Sequence, residues 1–340
     1  MNKKTAILLL NLGTPDSPKV KDVKEYLQEF LSDGRVLDIN PLGRLLLVNF
    51  VIAPTRAPKS AIEYEKLFKI GGGKSPLLAY GETVQEKLQK LVEDNCHVKL
   101  AMRYGNPGME DAIDELEKEG FDKIVLLPLY PQYASATTGS TIERAFQLFN
   151  YWQTIPEIEI IGQFYNNENY INNIENRASQ FSLAEYDHIL FSYHGVPERH
   201  IINGHTKKQS CSDCTCNKHF ISTEPQCYKN TCYETTRLIA SKLKIEESKF
   251  TTVFQSRLGK DPWLSPYADQ TIKKLAQEGK KNILVFSPAF VADCLETILE
   301  IGEEYAHLFK ENGGEKLDLV PSLNDGDDWV KTIYSLINGK

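Results

Sequence analysis

The chain has 340 residues, 46 of them Asp or Glu and 39 Lys or Arg, for a formal net charge of −7. Hydrophobic residues make up 41% and charged residues 25%, a globular balance with length for two domains of ordinary size. The acidic balance excludes a protein held to nucleic acid mainly by phosphate contacts.

Asn2-Lys3-Lys4 leads into about eight apolar residues and then Gly13-Thr14-Pro15. That run is too short to span a bilayer, so it reads as a strand and not as a signal peptide. A cytoplasmic protein is expected. In order, Thr5 to Leu12 form an apolar strand ended by Gly13-Thr14-Pro15-Asp16. Val20, Val23, Tyr26, Leu27, Phe30 and Leu31 at helical spacing predict a helix over about 19–31. Residues 42–53 hold nine apolar residues in twelve. They read either as a partly exposed apolar lip or as an ordinary buried helix. Helices at about 59–69 and 79–94 follow, separated by Gly71-Gly72-Gly73. A strand at 97–102 ends in Arg103-Tyr104-Gly105-Asn106-Pro107, and a helix at 108–119 leads to the strand Lys123–Leu129. The loop from Tyr130 to Ser140 precedes a helix at about 140–152, a strand near 158–163 and a helix near 167–181.

The second half repeats this pattern. His188 to Pro197 aligns with Ala6 to Pro15, each an apolar strand followed by Gly-x-Pro. Arg103-Tyr104-Gly105-Asn106-Pro107 is similar to Arg257-Leu258-Gly259-Lys260-Asp261-Pro262. Alternating strands and helices predict an α/β fold of two similar doubly wound parallel-sheet (Rossmann-like) domains with a cleft between strand ends. The expected domains are residues 1–164 and 165–340, with the last helix packing on the first domain.

The strand Asp187–Tyr193 stops at His194, where Gly195 and Pro197 turn the chain. Ligands of open α/β sheets sit beyond the carboxyl ends of strands. A histidine there either caps the strand or serves proton transfer and metal contact. The internal alignment places His194 where the first half has Leu12, which favours function. A helix after the strand 281–286 carries Glu296, Glu300 and Glu303 at i, i+4 and i+7, one α-helical face. Such a row is either a solvated acidic face or a path for a divalent cation. Five of the seven cysteines lie between 211 and 232, which in a reducing compartment suggests a metal site and not disulfides. Cys211, Cys214, Cys216, Cys227 and Cys232, with His219 among them, are the candidate donors. Four thiolates suit zinc or an iron–sulfur cluster. Cys96 and Cys294 read as small buried residues.

Six motifs in order together resemble the ferrochelatases. They are Asn11-Leu12-Gly13-Thr14-Pro15-Asp16, Gly71-Gly72-Gly73-Lys74-Ser75-Pro76, Tyr130-Pro131-Gln132-Tyr133 with Thr137-Thr138-Gly139-Ser140, Ser192-Tyr193-His194-Gly195, Gln255-Ser256-Arg257-Leu258-Gly259 with Pro262-Trp263, and Asp293-Cys294-Leu295-Glu296-Thr297. The resemblance runs from about residue 5 to 330. It implies insertion of Fe²⁺ into protoporphyrin IX to give protohaem, with the macrocycle held between two Rossmann-like domains. It implies His194 and Glu296 as the catalytic pair and as metal contacts, with Glu300 and Glu303 passing metal inward. Tyr130 and Tyr133 are expected as flat apolar surface for the ring, and Asp16, Arg35 and Lys74 as further porphyrin contacts. Members acting on coproporphyrin III carry a tyrosine where this chain has Asp16, which points to protoporphyrin IX. In the family the apolar stretch 42–53 is a lip over the pocket. It is expected to touch the inner face of the membrane, with Arg44 and Arg56 meeting anionic lipid.

Some ferrochelatases carry a [2Fe-2S] cluster, which is the resemblance's expectation for the cysteine insert 204–232; zinc is the alternative. Relatives often have a cysteine where this chain has Cys232, so the resemblance implies Cys211, Cys214, Cys216 and Cys227 as the ligands, with Cys232 or His219 as substitutes. Animal members take one ligand from the loop after the residue matching Tyr133 and three from a C-terminal extension. Here that loop position is Ser135, and no cysteine follows Cys294. Any cluster is therefore built from the internal segment. Two enzymatic alternatives remain, a coproporphyrin III ferrochelatase and a related cobalt chelatase. The small cobalt chelatases tend to use paired histidines, whereas this chain offers His194 with Glu296. An alternative of another class is an iron–sulfur redox or iron-sensing module on a chelatase scaffold.

Overall fold

A computed structural model describes residues 3–205, 208–257, 259 and 261–339. Thr206 and Lys207 of the cysteine insert, and Leu258 and Lys260 of the repeated motif, lie outside the described residues. The chain forms two compact units. The first holds the chain up to Tyr130, Ser135–Gln163 and the stretch from Asn324 onward. The second holds Pro131–Ala134 and Phe164–Leu323. Beyond the boundary near residue 164 and the return of the last helix, the chain passes between units at Pro131–Ala134. Pro131–Ala134 belongs to the second unit because Gln132 Nε2 donates to Thr235 Oγ1 at 3.0 Å and Phe164 N donates to the Pro131 carbonyl at 3.0 Å.

In the first unit the elements run β1 (Thr5–Thr14), α1 (Val20–Ser32), α2 (Pro41–Leu47), a π-helix (Val48–Ile52), α3 (Ala53–Ile70), α4 (Pro76–Gln89), β2 (Cys96–Gly105), α5 (Met109–Glu119), β3 (Lys123–Pro128), a second π-helix (Ser135–Gly139), α6 (Ser140–Phe149) and β4 (Glu157–Ile160). In the second they run α7 (Glu168–Ala178), β5 (His188–His194), α8 (Glu198–Gly204), α9 (Tyr228–Lys242), β6 (Phe250–Gln255), α10 (Ala268–Gln277), β7 (Asn282–Phe286), a third π-helix (Glu296–Tyr305), α11 (Ala306–Glu311) and β8 (Lys316–Leu319). The final helix, α12 (Asp327–Ile337), belongs to the first unit.

Each unit has one four-stranded parallel sheet, in the orders β2-β1-β3-β4 and β6-β5-β7-β8. The central strands are apolar along their length because helices cover both faces of a parallel sheet. Ala6, Leu8, Leu10, Ile124 and Leu126 pack with Ile113, Leu116 and Phe149 of α5 and α6. Leu190, Val253, Ile283 and Val285 pack with Ile272 of α10 and with Ile301, Tyr305 and Phe309. The expected α/β class with two parallel sheets is the architecture observed.

The strand registers define the internal repeat. Asn11 pairs with Met102, and Tyr193 pairs with Phe254. Met102 N donates to Pro107 O at 2.7 Å, and Phe254 N donates to Pro266 O at 2.8 Å. Leu12 and His194 therefore occupy equivalent places. The same register corrects one expected correspondence: Arg103 matches Gln255 and not Arg257, and Pro107 matches Pro266 and not Pro262. The longer connection after β6 misled the sequence alignment by carrying a second Arg-x-Gly.

The third π-helix departs from the α-helical turn that the sequence suggests. Thr297, Ile301, Tyr305 and Phe309 are all buried. Bonding i→i+5 turns the chain less per residue than an α-helix does, so over Glu296–Tyr305 residues seven apart fall well short of two full turns.

Gly13 (φ +111°) lies one residue before the end of β1, where the backbone of β2 comes close. A Cβ there would lie 1.7 Å from the Tyr104 carbonyl oxygen. Gly13→Ala is expected to lower stability by about 2 kcal/mol or more, from backbone strain and the clash together, read as a shifted denaturant midpoint.

Candidate active site

His194 is the last residue of β5, the strand flanked by β6 and β7. Pairing with β7 ends at Phe191 and Phe286, so Ser192–His194 extend past that neighbour. The half-buried ring is oriented locally. His194 Nδ1 lies 2.7 Å from the Gly195 carbonyl oxygen. A carbonyl only accepts, so Nδ1 carries the proton and Nε2 of the neutral ring keeps its lone pair. Gly195 N donates to Gln255 O at 2.8 Å, and a Cβ on Gly195 would come within 2.7 Å of that oxygen. Trp263 closes the other side of Gly195.

Gln255, the register partner of His194, ties this strand end to the acidic helix. Its Oε1 accepts from Ser192 Oγ at 2.7 Å. Its Nε2 donates to Glu296 O at 3.2 Å and to Glu300 Oε2 at 3.0 Å. Ser256, with φ +64°, adds a hydrogen bond from Oγ to Glu300 Oε2 at 2.5 Å. Tyr305 Oη donates to Glu300 Oε1 at 2.8 Å. Burial, and then the Glu300 charge, raise the Tyr305 hydroxyl above its ordinary range, so it remains a donor. Glu296 is half-buried, and its side chain contacts the Cys294 thiol. Burial and then that carboxylate push the thiol's pKa well up.

The expected face of Glu296, Glu300 and Glu303 changes with the helix type. On an i→i+5 helix the positions above Glu296 move from i+7 towards i+8 and i+9, here Glu304 and Tyr305. Glu303 and Glu304 are both exposed. The equivalent place in the first unit is closed. Leu12 stands for His194, and Arg103 is ion-paired to Asp33 at 2.6 Å. Tyr104 and Ser140 also donate to Asp33 Oδ2, at 2.9 and 2.5 Å. Burial would raise the Asp33 carboxyl, but the Ser140 and backbone hydrogen bonds with the Arg103 charge bring it below its ordinary value.

The other expected contacts are spread over the two units. Tyr130 is buried in the first unit and Tyr133 half-buried in the second. Asp16 accepts from Asn106 through both carboxylate oxygens, at 3.0 and 2.9 Å. Arg35 is bound to Glu143 and Ser135, and Lys74 is ion-paired to Glu82 at 2.6 Å. In the apolar stretch, Leu42 (67% exposed), Leu45 (53%) and Phe50 (75%) face outward, while Val48 and Ala53 are buried. Arg44 points back to the carbonyls of Leu37 and Ile39, whereas Arg56 is exposed. No helix among the described residues is long and apolar enough to cross a membrane.

Cys211, Cys214, Cys216, Cys227 and Cys232 are all free and buried. Burial, with the Glu198 charge, pushes the Cys211 thiol up to about 12, and burial takes Cys227 up to about 11. Cys214 and Cys227 both act electrostatically on Cys211 and on Cys216, and Cys214 is in hydrogen-bond contact with Cys216. His219 is exposed, with its Nε2 3.4 Å from Oγ1 of Thr215, the residue between Cys214 and Cys216. Among the described residues no three such side chains are gathered as a metal-binding group. The donor chemistry fits a thiophilic metal, and binding one would draw the thiols together and release their protons.

Sequence reasoning missed Gln255, Ser256, Tyr305 and Cys294 as parts of one network. Gln255 was visible within a motif, but its role depends on a strand register that the motif does not encode.

The fold is shared with SirB from Bacillus subtilis solved with Fe³⁺, at TM-score 0.53 and 10% identity over 99% of this chain and 98% of that one. It is also shared with the sirohydrochlorin chelatase SirB from Bacillus subtilis subspecies spizizenii in complex with cobalt, at TM-score 0.54 and 11% identity over 98% of this chain and 94% of that one. In sequence, the ferrochelatase of Legionella pneumophila (strain Corby) is 42% identical over 335 residues, 98% of both chains. That of Coxiella burnetii (strain Dugway 5J108-111) is 39% identical over 344 residues, 98% of this chain and 93% of that one. The ferrochelatase family model matches residues 4–340, so both sheets and the His194–Gln255–Glu300 network fall within one match; this chain belongs to the ferrochelatase family.

Proposed function

We propose that this protein inserts Fe²⁺ into protoporphyrin IX, with His194 and Glu296 handling the two pyrrole protons and the incoming ion. Iron insertion into a porphyrin is the activity its family membership supports, above the cobalt and iron-sensing alternatives. One Fe²⁺ replaces two N–H protons, so the reaction needs acceptors close to the ring nitrogens. The observation that carries the residue assignment is the fixed tautomer of His194. With Nδ1 bound to Gly195, the neutral ring has its Nε2 lone pair ready to accept a proton. Glu296, joined to the same strand end through Gln255, takes the second proton or receives the ion. Glu300 is held by three donors and serves as a fixed anionic neighbour. Glu303 and Glu304 stand outermost and first meet the hydrated cation. Tyr130, Tyr133, Asp16, Arg35 and Lys74 remain the proposed porphyrin contacts, and Asp16 supports protoporphyrin IX over coproporphyrin III.

His194→Ala is expected to lower the rate of iron insertion at least ~10²-fold, and Glu296→Gln comparably, while porphyrin binding persists. Anaerobic assays with Fe²⁺ and either porphyrin, followed by absorbance, check both points. Wild-type rates in either variant would remove that residue from proton and metal handling.

Cys211, Cys214, Cys216 and Cys227 are the residues that would hold a [2Fe-2S] cluster, which would supply one-electron chemistry and tie the loop together when bound. Anaerobically purified protein is expected to contain iron and acid-labile sulfide and to be reddish-brown, and Cys211→Ser to lose all three. Zinc without sulfide in a colourless sample would replace the cluster by a structural zinc site.

The exposed face of Leu42, Leu45, Leu46 and Phe50 supports peripheral contact with a membrane surface. Leu46→Asp combined with Phe50→Asp is expected to reduce co-sedimentation with partly anionic vesicles several-fold. Unchanged binding would exclude this face.

A further inference from the structure

We infer that Tyr228 is a positioning residue for His194, and that through it the cysteine-bearing segment sets the geometry of the proton acceptor. The inference rests on His194 being the proton acceptor. Tyr228 is the first residue of α9 and is buried. Its Oη donates to the main-chain carbonyl oxygen of His194 at 2.8 Å. That carbonyl lies in the peptide unit joining His194 to Gly195. The peptide unit's N–H, from Gly195, is already held by Gln255 O. Tyr228 therefore fixes the remaining polar atom of the link that aims the imidazole. A rotation of this peptide would move the Gly195 carbonyl that holds Nδ1, and with it the tautomer.

The same end of α9 grips the cysteine segment. Cys227 is the residue immediately before the helix. Lys229 Nζ donates to the Cys211 carbonyl at 2.8 Å. The Asn230 side chain accepts from Ile221 N at 3.0 Å and donates to Ile221 O and Glu224 O at 2.9 and 3.0 Å. One turn on, Cys232 contacts the Tyr228 ring hydroxyl, and farther along Arg237 Nη1 donates to Cys216 O at 3.0 Å. Three consecutive residues thus face two ways: Tyr228 to the strand end, Lys229 and Asn230 to the thiol-bearing loop. A change in that loop, whether ligand binding or thiol oxidation, reaches His194 through one hydroxyl.

Tyr228→Phe keeps the ring and deletes the donor. The expected result is a roughly five- to tenfold lower kcat for iron insertion, the scale of one ordinary hydrogen bond, with KM for porphyrin within about twofold. In ¹⁵N spectra of imidazole-labelled, substrate-free protein, wild-type His194 should show the Nδ1–H tautomer alone and Tyr228→Phe a mixture. Lys229→Met, which leaves Tyr228 in place and releases Cys211, should shift the tautomer ratio in the same direction by less. It also provides the test if Tyr228→Phe does not fold. An unchanged tautomer in both variants overturns the inference. If instead His194→Ala retains full activity, the proton-acceptor reading fails, and the tautomer measurement, which does not depend on turnover, still decides separately whether Tyr228 orients the ring.

Discussion

The amide of Gln255 has one acceptor and two donors, and all three are used inside the second unit. It is buried, so leaving any of them unpaired would cost about 1–3 kcal/mol. The three partners come from β5 and from both backbone and side chain of the π-helix. Satisfying the amide therefore brings the His194 strand end and the Glu296–Glu300 helix into one register. The amide cannot be reversed without setting its oxygen against the Glu296 carbonyl and the Glu300 carboxylate, acceptor against acceptor. That constraint makes the site a set of fixed positions, which is the condition for proton transfer at a stated atom.

The repeat gives an internal control. Both units have the same strand order and the same hydrogen bond from the second strand to a proline carbonyl. Where the second unit has His194 and Gln255, the first has Leu12 and Arg103. Arg103 is neutralised by Asp33, and Tyr104 and Ser140 complete that carboxylate. A saturated ion pair suits a structural strand end, because neither charge is left to act on a ligand. In the second unit a neutral amide replaces the arginine and leaves the carboxylates on the neighbouring helix without a local countercharge from that position. The same scaffold thus carries a saturated ion pair in one copy and, in the other, an uncharged amide bonded to the acidic helix.

Much of this was legible in sequence. Apolar runs marked the central strands because both sheet faces are covered, and the Leu12–His194 equivalence followed from strand patterning alone. The six motifs were enough for the family. The rest depended on pairings that local patterns do not carry. Glu303 was grouped with Glu296 and Glu300 because an α-helical turn was assumed, and no local pattern marks the i→i+5 bonding over Glu296–Tyr305. Arg257 was matched to Arg103 because Arg-x-Gly recurs, although the register assigns Gln255. Tyr228 carries no local mark of its role, because its contact with the His194 carbonyl spans 34 residues of sequence. The cysteines were found by spacing, yet spacing says nothing of how far apart their sulfurs stand.

The location of α12 has a consequence for the order in which the chain matures. Trp329, Val330 and Ile333 are buried in the first unit, and Lys87 of α4 reaches the Asp325 carbonyl at 2.6 Å and the Asp327 carboxylate at 2.9 Å. Synthesis runs from the amino end, so every residue of the second unit leaves the ribosome before α12 does. The unit that begins first is thus completed last, and the apolar side of α4 waits uncovered while its neighbour folds. Truncation within the final helix would therefore injure the amino-terminal sheet, the part of the sequence farthest from the cut.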